Sequence, residues 1–73
     1  MKTVITLKVS KKEIRKLPSV EVYGEAAIAM RILNLRADQY LLKHPNLAIT
    51  SRTMVHDEPI ETATGYVNQM IIQ

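Results

Sequence analysis

The sequence predicts an α+β fold, ordered β-α-α-β-β, in which a three-stranded antiparallel sheet is packed by one long helix. Three observations predict it: strict apolar alternation over Thr3–Val9, a 3.6-residue apolar period across residues 19–43, and a return to alternation from Leu47. Residues 1–73 make a single small domain. At this length folding buries only about 60% of the surface of the unfolded chain, so one core is marginally stable. The chain has no cysteine to supply a disulfide, which leaves self-association as the route to added stability, and a homodimer is expected.

In the first strand Ile5, Leu7 and Val9 share one face and Val4, Thr6 and Lys8 the other. Ser10 stands three residues before Glu13, the spacing of a capping box, with Val9 and Ile14 placed as a hydrophobic staple. A short helix over residues 11–17 follows, with Ile14 and Leu17 pointing inward, and Pro18 stops it. Residues 20–23 read either as a short strand or as the first turn of the long helix. The helix is favoured, starting between residues 19 and 25 with Ser19 as a cap, although Gly24 costs about 1 kcal/mol inside it relative to Ala.

On the long helix Ala26, Ala29, Met30, Leu33, Ala37, Tyr40 and Leu41 form the face expected on the sheet, extended by Val22 and Tyr23. A second apolar stripe of Ile28, Ile32, Leu35 and Leu42 lies nearly opposite, so the helix needs a second partner. His44, next to Pro45, ends the helix, placed to interact with the negative end of its dipole. Residues 47–56 form the second strand, with Leu47, Ile49 and Val55 on one side, and "HDEP" turns the chain. Residues 60–72 carry both helical spacing and strand-forming residues. Threonines, valine and Gly65 in one window favour strand.

The charge is uneven. Residues 1–17 hold six basic side chains and one acidic, a net +5, whereas residues 18–73 hold four basic and six acidic, a net −2. On the short helix Lys11, Lys12, Arg15 and Lys16 span one outward arc, which Lys8 extends from the preceding strand. Lys11 and Lys12 sit at the positive end of the helix dipole, where stability alone favours acids. These five residues are the candidate nucleic-acid contacts. With no aromatic side chains among them, they would engage phosphate and not bases.

No motif points to catalysis. The serines lack a neighbouring base and orienting acid, the two glycines are isolated, and an enzyme is not expected. His56, Asp57, Glu58 and Glu61 are residue types that bind divalent cations, but neighbours in a turn seldom aim at one centre, so neither a metal nor another cofactor is expected. The longest apolar run, Ala26–Met30, is far below the roughly 18 residues of a membrane span, and the amino terminus lacks a signal-peptide core. A soluble, unprocessed cytoplasmic chain with no membrane partner is expected.

Two functions follow. One is a homodimeric nucleic-acid-associated accessory or regulatory factor that contacts phosphate through its basic helix. The other is a protein-binding module, an inhibitor or adaptor of phage or mobile-element type, that docks a protein partner through Ile28, Ile32, Leu35 and Leu42.

Overall fold

A computed structural model describes residues 2–46 and 51–73 of the chain. β1 (Thr3–Ser10) runs directly into α1 (Lys11–Arg15) at the predicted capping box. Ser10 is extended, its hydroxyl accepts the Glu13 N–H at 3.1 Å, and the Glu13 carboxylate accepts the Ser10 N–H at 2.9 Å. The reciprocal bonds satisfy amide groups that a helix start leaves open. Pro18 has no N–H to offer the Ile14 carbonyl, which takes that of Leu17 instead at 3.0 Å. The helix therefore closes two residues earlier than expected, and Leu17 turns to solvent rather than inward.

α2 (Val20–Tyr23) is one helical turn, which resolves residues 20–23 as helix. Ser19 precedes it in helical conformation and makes no side-chain cap, contrary to expectation. Gly24, at φ 85° and ψ 160°, separates α2 from α3 (Glu25–Lys43). Only glycine adopts this backbone at little cost. The reversal swings α2 off the axis of α3, so Val22 and Tyr23 are exposed and do not extend its sheet-facing side.

α3 buries Ile28, Ala29, Leu33 and Ala37, with Ile32, Tyr40 and Leu41 packed against the same core. The buried arc is rotated from the expected one: Ala26 is exposed, and Ile28 is only 4% exposed. The cause is α1, which packs against α3 as well as the sheet and brings the fully buried Ile14 into the core. The helix does have two partners, but over its first half both belong to this chain. His44 ends α3, its ring 4.3 Å from that of Tyr40.

β2 (Arg52–Met54), β3 (Ile60–Glu61) and β4 (Gly65–Ile72) complete an antiparallel sheet ordered β1-β4-β2, with β3 also paired to β4. The fold is α+β, and the sheet has four strands where three were expected. The fourth strand comes from a turn inside the expected third one: Ile60–Glu61 folds back to pair with residues 66–67 of β4, and β2 pairs with residues 70–72, so the two short strands share one flank of β4. Between their registers the chain needs extra residues, taken up where "HDEP" bends away. Of the expected second strand, residues 47–50 lie outside the described residues, Arg52–Met54 is strand, and Val55 and His56 are not. The single strand expected over residues 60–72 is instead a hairpin: Ile60–Glu61 and Gly65–Ile72 are strand, and residues 62–64 turn the chain between them, with the Thr62 N–H donating to the Gly65 carbonyl at 2.8 Å.

β4 is central because β1 covers it from Thr3↔Ile72 to Ser10↔Gly65. Leu7, Val9, Tyr66, Met70 and Ile72 project onto the helices. Gly65 is required by close approach: a Cβ there would lie 2.2 Å from the Val9 carbonyl oxygen. One polar side chain shares the buried face, Asn68. Its amide oxygen accepts the His56 N–H at 3.2 Å and its nitrogen donates to the His56 carbonyl at 3.0 Å. Asn68 thus bridges the sheet where β2 has ended and β3 has not begun.

Candidate interaction surface

Register and ion pairs divide the five basic residues. Register places Lys8 on the sheet face away from the helices, opposite Val67. Lys11 turns to Glu61 of β3, with Nζ 2.6 Å from Oε2 and its side chain only 18% exposed. Arg15 pairs with Glu25 at 3.2 Å. Lys12 and Lys16 are exposed and have no carboxylate partner among the described residues. The acidic turn residue that sequence reading weighed as a metal ligand is thus a counter-ion of the basic helix. Among the described residues, no three His, Cys, Asp or Glu side chains gather as a metal site.

The four residues expected at an interface are divided as well. Ile28 is buried and Ile32 packs on the core, which removes both from any free stripe. Leu35 and Leu42, 54% and 80% exposed, remain on the open side of α3.

A different surface emerges from the sheet, whose helices lie on one face. On the other, the registers set out three rows across the strands: Val4–Ile71–Thr53, Thr6–Gln69–Val55 and Lys8–Val67–Ile60. Val4, Val55 and Ile60 are 40% to 49% exposed there. Alternation had shown which β1 residues face outward. It could not show that no helix covers them.

The edge of this sheet is open too. Lys11 donates to the Thr64 carbonyl at 2.9 Å in line with the β1–β4 ladder, so the odd-numbered residues of β1 turn their backbone groups toward β4. The even-numbered residues turn theirs outward. Ser10 N–H is consumed by Glu13, and the Lys8 carbonyl accepts from Arg36 of α3. The N–H groups of Val4, Thr6 and Lys8 and the carbonyls of Val4 and Thr6 have no partner among the described residues.

Arg36 anchors one end of this edge. Its guanidinium also donates to Glu13 at 2.6 Å, and the Glu13 carboxylate, bonded by the Ser10 backbone, Arg36 and the Ser10 hydroxyl, is held down to a pKa of about 2. Beyond Arg36, a groove of about 420 Å³ runs between β1 and α3. Ile5, Leu7 and Tyr40 give it apolar walls, and Arg36, Gln39 and Lys43 line it from the helix.

No protein-family model matches the chain, and no curated protein or solved structure matches it. Among the described residues no helix is long and apolar enough to cross a membrane.

Proposed function

We propose that this chain is a small non-enzymatic protein-binding module, acting in the cytoplasm, that engages a polypeptide partner through its uncovered sheet. One observation carries the proposal: the helices occupy a single face, leaving Val4, Val55 and Ile60 exposed on the other beside an open β1 edge. Apolar side chains grouped on an exposed surface mark partner sites more often than scattered ones do.

Nucleic-acid association is the second reading, favoured by Lys12 and Lys16, which have no carboxylate partner among the described residues. It is narrower than the sequence implied, because Lys11 and Arg15 already have carboxylate partners. Self-association through α3 likewise narrows to Leu35 and Leu42.

Affinity capture with three forms of the full chain separates the readings. A polypeptide held by wild type and by K12Q/K16Q, and lost with folded V4E/I60E, supports the module. Duplex DNA or RNA held at low salt and released by K12Q/K16Q replaces it, with a log–log salt slope of about −2 to −3 for contacts from Lys8, Lys12 and Lys16.

A further inference from the structure

Resting on the module reading, we propose that the outer edge of β1 receives an extended, acid-rich segment of the partner, which adds to the sheet as a further strand. The edge offers both halves of a strand's hydrogen-bonding pattern. Donors at Val4, Thr6 and Lys8 and acceptors at Val4 and Thr6 all point outward at the two-residue spacing of a β-ladder. Arg36, bonded to the Lys8 carbonyl, closes the run at its far end. Natural sheets commonly blunt a long edge with proline, a bulge, a covering segment or lysine; Thr3–Ser10 has no proline and pairs with β4 without a bulge, and the one device it carries is the charge of Lys8, which repels a like strand and attracts an acidic one.

Charge selects the occupant. An added strand would pass between Lys8 of β1 and Lys2 just before it on the open face and Lys43 of α3 on the groove side. No acidic side chain lines the groove. Glu13 and Arg36 pair with each other at one end of the groove, which leaves Lys2, Lys8 and Lys43 as the cations an occupant meets. A second copy of this chain would bring its own Lys2, Lys8 and Lys43 to the same seam, and like charges across a ladder oppose pairing. A nucleic-acid backbone carries the required charge but cannot answer alternating donors and acceptors. An extended peptide with carboxylates flanking aliphatic residues meets both demands, its aliphatic side chains lying along Ile5, Leu7 and Tyr40.

The test is an NMR titration of the full chain with a capped peptide of alternating Glu and Val, about eight residues long to match β1. The controls are the alternating Lys and Val peptide and a Glu and Val peptide N-methylated at every second residue. The expected result is a shift of the Val4, Thr6 and Lys8 amides and of residues 36–43 with the acidic peptide alone. The aliphatic side chains then lie in the groove and the carboxylates face Lys2 and Lys8, so K2E/K8E should weaken binding about tenfold, and added salt should weaken it too. T6P removes an outward N–H without touching the β4 ladder and should abolish the shifts. If T6P does not fold, the N-methylated peptide poses the same question from the ligand side, and its failure to bind supports pairing.

Four results overturn the proposal: no shift at millimolar acidic peptide, equal binding of the Lys and Val peptide, equal binding of the N-methylated peptide, or tighter engagement of the same amides by duplex DNA. A wild-type dimer with these amides protected from exchange also overturns it, since a second copy then occupies the edge. If the edge fails in any of these ways while capture sensitive to V4E/I60E persists, the module reading stands and only the edge assignment falls.

Discussion

Replacing Asn68 with Ala should cost this domain a large share of its stability. Asn68 is fully buried and supplies both bonds that hold His56 to the central strand across the gap between β2 and β3. Each bond contributes about 0.5–1.5 kcal/mol net. His56 is half-buried, so water can partly replace the lost partners and the low end of that range applies to its amide. The void left by the carboxamide adds about 1 kcal/mol, since a packed site relaxes only in part. The expected loss is about 2–4 kcal/mol, against a total of about 4–11 kcal/mol for a chain of this length. Urea denaturation with the slope held constant measures it, and hydrogen exchange reads it locally as lost protection at the His56 amide. N68L refills the volume while leaving His56 unpaired, and should recover no more than about 1 kcal/mol of the loss. An N68A chain within about 0.5 kcal/mol of wild type, or an N68L chain equal to wild type, would refute the bridging role.

G65A should destabilise by about 1–3 kcal/mol or more in thermal unfolding, because its Cβ meets the Val9 carbonyl oxygen and neither backbone can yield cheaply. S10A should lose about 0.5–2 kcal/mol, read by denaturant midpoint, as the Glu13 N–H loses its cap. The Glu13 carboxyl is lowered from 4.5 to about 2, so its contribution is complete above pH 4.5 and is lost as pH falls from there through about 2. Acid titration of E13Q should therefore show a shallower loss of stability in that window than wild type, with the two curves parallel above it. For self-association, L42E is the clean perturbation, since I32E would disrupt the core. A sedimenting dimer that becomes monomeric with L42E places α3 at the contact, and a dimer unmoved by it places the contact elsewhere.

Elements whose signals are local were legible along the chain. Alternation in Thr3–Val9, the Ser10–Glu13 box and the helical period read over residues 19–43 each depend on neighbours within a few positions; the first two reappear as read, and the third reappears as α3 over Glu25–Lys43. The inward phase of β4 was legible in part. Tyr66, Met70 and Ile72 share a face, and Asn68 in the same phase was the available sign of a buried polar bridge. Helix length failed at Leu17 because the loss of a donor at Pro18 acts on the turn before it. The rest was settled by long-range packing. Ile28 and Ile32 looked free on a helical wheel, yet α1 folds back on that flank of α3. Lys11 and Glu61 are fifty positions apart, and only the β3–β4 pairing brings them to 2.6 Å. The open face and edge were invisible for the same reason. A strand's alternation states which side chains are apolar, while the order β1-β4-β2 and the one-sided placement of the helices decide which of them are covered.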